Sequence, residues 1–230
     1  MLAADYFLAG AVSLVAGLDR TAAFQFMLSR PIVAAPLTGW VLGAPATGMQ
    51  VGILIELLWL GRLPIGAAIP PDDTQVAVGA TALAIGLGSF LGLAGVPFTL
   101  LAVFTALPIG KIGQVFERLV RQRNVRLTQR AELALAEGRL RGIEAEHLWG
   151  LSHFALASLA TYSVIVGAGS IILYFLAPLL IEPVSEVAGW FRLLFVLIGT
   201  AVILATMNVS RAMSLFGASF ATAFLMLWLL

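Results

Sequence analysis

The chain has no cysteine, only two histidines and little charge. Without cysteine, disulfides and thiolate metal sites are excluded. His147 and His153 lie six residues apart, a spacing that does not put two ligands on one helix face, so zinc chemistry is not expected. No metal or other cofactor is expected on these grounds. Charged residues make up 11% of the chain, against about a quarter in ordinary globular domains. The formal net charge is +1, and no dispersed basic face suits phosphate tracking, so nucleic acid is not an expected partner. A nucleotide cradle is also missing: GLGSFLG at 86–92 is Gly-rich but no P-loop lysine follows it. No Ser/His/Asp grouping with a defined motif appears. The opening MLAADYFL contains Asp5 and no basic residue, unlike a secretory signal, so the N-terminus is expected to be retained.

What the chain does contain is apolar surface. Of its 230 residues 60% are hydrophobic, and mean hydropathy is +1.01. A soluble protein of this length cannot hide that much; an integral membrane protein leaves it facing lipid. Uncharged runs cover 6–18, 31–55, 76–110, 151–181, 193–210 and 212–230. One helix needs about 20 residues to cross the hydrocarbon core. The 35-residue run 76–110 exceeds one straight span. Its punctuation by Gly79, Gly86, Gly88, Gly92, Gly95, Pro97 and Pro108 predicts a span plus a broken or re-entrant piece. The expected fold is an all-α integral membrane protein. It has about six transmembrane segments, re-entrant or broken helices, and one cytoplasmic amphipathic helical segment. A loop on the outer side is expected at 182–192, between two antiparallel spans. The whole of 1–230 reads as one membrane domain: an N-terminal membrane part (1–110), a basic helical segment (111–147) and a C-terminal membrane part (148–230).

The segment 111–147 holds eight of the thirteen basic residues, from Lys111 to Arg141. The positive-inside rule places it in the cytoplasm. Leu127, Leu133, Leu135 and Leu140 alternate with charges in a helical pattern. A basic amphipathic helix of this kind commonly lies on a membrane surface; docking of a cytosolic partner is the alternative.

The polar residues of 30–75 stand out against this background. Glu56 lies within GILIELLWLG, and an acidic side chain at membrane depth marks a substrate, ion or proton path. The structural alternative is an ion pair with Arg62 or another buried partner. Asp72 and Asp73 follow Pro70 and Pro71, where they read as a solvated turn or as the N-cap of a helix starting near Thr74. A half-helix N-terminus within a membrane protein is also a device for holding polar ligands. Broken backbone at 61–68 is tolerated at membrane depth only in a protein interior or cavity wall. Gln25, between Phe24 and Phe26, both donates and accepts hydrogen bonds, as a hydroxyl-rich ligand requires. Asn208 offers the same chemistry. For each amide, interhelical hydrogen bonding is the simpler explanation.

These residues fall into a pattern that resembles the C subunit (IIC) of mannose/fructose/sorbose-type sugar permeases of the bacterial phosphotransferase system. Five pieces carry the resemblance: LDRTAAFQFMLSRPIVAAPLTGWVLG (18–43), TGMQVGILIELLWLG (47–61), IGAAIPPD (65–72), GQV (113–115) and the G-x-L-x-x-I-x-x-x-H pattern at 138–147. The match covers most of the chain, is densest over 18–80 and is thin after 160. It implies a sugar-translocating permease subunit, working with a IID membrane subunit and cytosolic IIA and IIB phosphocarriers in the bacterial inner membrane. Phosphoryl transfer then belongs to a partner and not to this chain, which would not itself be an enzyme. The resemblance also implies that 43–75 forms the sugar-site segment. Glu56 and Asp72 match the family's acidic positions and Gln25 its amide. Asn208 completes the expected sugar contacts. One departure is expected to matter. Arg62, Leu63 and Pro64 replace a small polar residue usual in that stretch, and Pro64 has neither a hydrogen-bonding side chain nor a backbone N–H. Arg62, Pro64 and Asp73 are therefore expected modulators. A homologue that has lost transport and serves as a regulator or scaffold, and an ion-coupled transporter with Glu56 carrying the proton, are the competing functions.

Overall fold

The computed structural model describes residues 3–61, 69–206 and 211–229, and its regular structure there is entirely helical. The helices are α1 (Ala3–Thr21), α2 (Pro31–Val41), α3 (Pro45–Trp59), α4 (Asp73–Ala82), α5 (Gly88–Leu91), α6 (Val96–Ile109), α7 (Ile112–Ala136), α8 (Leu140–Thr206) and α9 (Ala212–Leu229). A π-helical turn, Leu83–Leu87, joins α4 to α5. Among the described residues three stretches are long and apolar enough to cross a membrane: Asp73–Leu91, Val96–Ala136 and Leu140–Ala205. Pro31–Val41 and Met213–Leu229 are shorter apolar helices. The protein is an all-helical membrane protein, as its composition predicts.

Proline and glycine set the local breaks. α2 and α3 each begin with proline in the first turn, where the missing N–H costs nothing. They form an antiparallel hairpin through bare backbone. A Cβ at Gly48 would lie 2.3 Å from the Ala35 carbonyl oxygen, and one at Gly52 2.7 Å from that of Pro31. Such close approach is how membrane helices gain packing energy without a hydrophobic drive between them. The long run 76–110 does break: α5 ends at Gly92 (φ 67°), and Gly95 (φ 124°) precedes α6.

α4 is the axis of the protein. Every residue from Thr74 to Ala82 is buried, and α1, α2, α3, α6 and α8 pack around it. A helix apolar on all sides is an interior helix. Its polar members are satisfied. The Thr81 hydroxyl donates to the Ala77 carbonyl at 2.8 Å, and the Thr74 hydroxyl donates to the Ser29 carbonyl at 2.8 Å. Gln75, fully buried, accepts from the Ser13 hydroxyl at 2.7 Å and donates from Nε2 to the Ser13 carbonyl at 3.0 Å.

The C-terminal half corrects one expectation. The loop foreseen at 182–192 is helical, and α8 is continuous over 67 residues. The chain nevertheless reverses within it. Ile165 and Gly169 pack on Gly79 and Leu83, while Gly199 packs on Leu57 and Val202 on Gly61. Straight helix would part Ile165 from Val202 by about 55 Å, far more than α3 and α4 allow. Pro178 and Pro183 lie in the bend, where each removes a helical hydrogen bond and promotes a kink. The two antiparallel legs are as expected; the turn between them is bent helix because its residues, with no glycine until Gly189, favour continued helical geometry.

α7 and the first turns of α8 form a second hairpin, closed at Gly138 (φ 68°). This is the basic segment. Leu133, Leu135 and Leu140 are exposed on it.

Candidate functional site

Two carboxylate stations flank the start of α4. At the first, Asp72 is the N-cap of α4. Its Oδ1 accepts the Gln75 N–H at 3.0 Å, satisfying one of the orphan donors of the first turn. The same carboxylate lies 2.6 Å from Arg20 Nη1, an approach that is ionic rather than a well-aligned hydrogen bond. Arg20 Nη2 lies 3.2 Å from Asp73 Oδ1 and donates to the Pro71 carbonyl at 3.1 Å. The Arg20 side chain is 15% exposed and that of Asp72 14%. One guanidinium at the end of α1 therefore gathers two acids and a carbonyl from the segment before α4. Gly113 lets α7 close over the station: a Cβ there would lie 2.7 Å from the Asp72 Cβ.

At the second station, Glu56 on α3 pairs with Arg30, the N-cap residue of α2. Its other oxygen accepts the Ile32 N–H at 3.3 Å, an orphan donor of that helix. The Glu56 side chain is 14% exposed, whereas Arg30 is 43% exposed. Arg30 is thus the more solvent-exposed member of the pair.

The strand of chain between α1 and α2 ties the stations together. Asp19, 4% exposed, accepts the Phe26 N–H at 2.6 Å and the Ser29 N–H at 3.0 Å. It braces a turn in which Phe24, Gln25 and Met27 all have positive φ (64°, 55° and 66°). Left-handed geometry in non-glycine residues costs on the order of 1–3 kcal/mol each and clusters at functional sites. Phe24 and Phe26 stack at 5.6 Å between centroids and are exposed, as is Met27. Adjacent residues thus do two tasks. Asp19 shapes the loop that delivers Arg30 to Glu56, and Arg20 neutralises Asp72 and Asp73.

Of the expected site residues, Glu56, Asp72 and Asp73 converge around the α4 start through arginine partners. Gln25 is in the braced turn, exposed, with its N–H donating to the Ala23 carbonyl at 2.8 Å. Arg62, Pro64 and Asn208 lie outside the described residues. Arg30, not foreseen as the partner of Glu56, holds that carboxylate. Asp19 and Arg20 follow the uncharged run 6–18 with no local motif to mark either role. Charge counting points to them: residues 1–110 contain five acids and only three basic residues, Arg20, Arg30 and Arg62. Acids at membrane depth pair with what is available.

Comparison with known proteins gives a consistent picture. Residues 3–229 match the family described as PTS system sorbose-specific IIC component. The PTS system mannose-specific EIIC component of Escherichia coli (strain K12) is 33% identical over 127 residues, 55% of this chain and 45% of that protein. The PTS system sorbose-specific EIIC component of Klebsiella pneumoniae is 29% identical over 84% of this chain and 70% of its own length. Against the mannose-specific proteins, then, the match spans a little under half their length. Among solved structures, one described as a membrane protein superposes with a TM-score of 0.70 at 25% identity, covering 97% of this chain and 87% of the other. The mannose transporter ManYZ in complex with microcin E492 gives a TM-score of 0.56 at the same identity and coverage.

Proposed function

We propose, from the premise that this chain belongs to the sorbose-specific IIC family of the PTS system, that it moves a hexose-like sugar across the bacterial inner membrane for phosphorylation by a partner subunit. The observation that carries the reading is the paired stations at the α4 start. In a membrane protein, Glu56 with Arg30 and Asp72 with Arg20 place carboxylate acceptors beside guanidinium donors. Sugar hydroxyls both donate and accept, and hydrogen bonds to charged groups are the stronger ones. Arg30 is the exposed member, so a sugar reaching Glu56 displaces or shares Arg30 rather than breaking a buried pair. Asp72, already capping α4, offers its remaining lone pairs.

The ManYZ likeness supports a second membrane subunit of the IID type as partner. The phosphoryl group would come from cytosolic IIA and IIB carriers, since no phosphohistidine site is expected on this chain. Gln25 is proposed as a contact at the mouth of the site, on the strained turn beside Arg30. Asn208, and Arg62 and Pro64 as modulators, complete the proposal as sequence assignments. The basic α7–α8 hairpin would lie on the cytoplasmic face.

The test is uptake of labelled mannose, sorbose and fructose by cells expressing this chain with its partner subunits. Glu56→Gln is expected to lower uptake of the transported sugar at least tenfold while the complex still assembles. Unchanged uptake would remove Glu56 from the site. Uptake that follows a proton gradient and ignores phosphoenolpyruvate would replace the phosphotransferase reading with an ion-coupled one.

A further inference from the structure

The pattern at 138–147, which ends at His147, has no role in the site described above. Yet it borders an open cavity of about 450 Å³ between the end of α1, the middle of α7 and the start of α8. Small-molecule sites span about 300–1,000 Å³. Asn124, Thr128, Glu146 and His147 line it together with Thr21 and Phe154.

Three observations give this cavity a direction and a ligand. First, it adjoins the Asp72 station. Thr21 and Phe154 also line a cavity of about 20 Å³ whose other walls include Arg20, Asp72 and Gly113. That space fits roughly one water molecule and not a sugar, so Thr21 and Phe154 stand as a closed partition between Asp72 and the larger cavity. Second, Glu146 Oε2 is shielded from solvent and has no hydrogen-bond donor among the described residues. A buried acceptor left unpaired costs on the order of 1–3 kcal/mol, and a ligand hydroxyl recovers it once the Glu146 carboxylate turns its shielded oxygen into the cavity that the residue lines. Third, the other polar groups are already set. Asn124 Oδ1 accepts from His153 Nδ1 at 2.7 Å and its Nδ2 donates to the Gly150 carbonyl at 3.4 Å, while the Thr128 hydroxyl donates to the Asn124 carbonyl at 3.3 Å. Glu146 is therefore the open acceptor on a pre-positioned wall. A cationic ligand is disfavoured by the surrounding segment, which carries eight of the thirteen basic residues.

We infer that this cavity is a cytoplasmic-side sugar subsite. A neutral polyol released from Asp72 passes the Thr21–Phe154 partition and is held by Glu146 where a cytosolic phosphoryl donor can reach it. The inference rests on the transport reading above and adds an exit station to it.

The chain's lack of cysteine makes the test clean. Thr128→Cys introduces a single thiol, and His147→Cys supplies a second, independent reporter at an exposed position. Inside-out vesicles containing the chain with its partner subunits are treated with a membrane-impermeant maleimide. Labelling is expected, and mannose, sorbose or fructose, whichever the complex transports, is expected to slow it at least threefold. Adding Glu146→Gln should abolish that protection. Absence of labelling at both reporters, or labelling unaffected by a sugar whose Glu56-dependent uptake is intact, would overturn the subsite and leave the transport reading standing. If the wild-type complex transports none of the three sugars, the transport reading falls and the subsite with it.

Discussion

The two carboxylate stations use the same chemistry to different ends. Asp72 is anchored three times: it caps α4, faces Arg20 across 2.6 Å, and is overlaid by α7 at Gly113. Glu56 has one ion partner, and that partner is 43% exposed against 15% for Arg20. A buried pair is costly to break from one side, because the remaining charge is stranded in low dielectric. Arg30 is the more hydrated arginine and returns to water at less cost than Arg20, although Glu56 itself is as shielded as Asp72, each 14% exposed. The first station is therefore the more tightly anchored, and the second gives up its arginine more readily.

The sharpest way to break this comparison is to remove each arginine. Arg20→Ala should destabilise the protein by about 3–5 kcal/mol, leaving Asp72 and Asp73 unpaired. Arg30→Ala should cost less, about 1–3 kcal/mol, because it strands a single shielded carboxylate that keeps the Ile32 N–H. Thermal midpoints of the purified complex in detergent will show it; equal losses would mean that the stations are not distinct. A smaller contrast separates the two duties of Asp72. Asn caps helices as well as Asp does, whereas Ala loses about 0.5–2 kcal/mol at an N-cap. Asp72→Ala should accordingly be less stable than Asp72→Asn by that margin. Both should lose uptake alike if the charge itself serves the sugar; retained uptake in Asp72→Asn would reduce Asp72 to a cap. The smallest effect is the control on the basic hairpin. Arg121 and Glu117 pair on α7 one turn apart, with half of the Arg121 side chain exposed, so Arg121→Ala should move the midpoint by no more than about 0.5 kcal/mol.

The sequence carried the stations unequally. Asp72 was legible because Pro-Pro-Asp-Asp-Thr is a helix start whose chemistry is local: cap, first turn and acid lie within four residues. Glu56 was legible as an anomaly, a charge inside an apolar run. Its partner was not, because Arg30 is 26 residues away and reaches Glu56 only through the α2–α3 hairpin. The glycines that permit that hairpin, Gly48 and Gly52, looked like general packing residues. The burial of Asp19 and the turn it braces were equally invisible. Positive φ at Phe24, Gln25 and Met27 runs against residue preference and exists only because a buried carboxylate holds the Phe26 and Ser29 amides.

By itself the sequence determined the solvent and the class. Scarce charge and long apolar runs are sums over residues and need no folding to be read, so an all-helical membrane protein with one basic polar segment followed directly. The motif series 18–80 fixed the family for the same reason: it is a linear pattern. Only the tertiary structure decided the pairing of charges, the bent but unbroken helix through 182–192, and the cavity against Glu146. Each depends on residues distant in the chain coming within a few ångströms. Ion pairs, backbone reversals and cavities are set by where packed helices stop against one another, and local propensity carries no information about that.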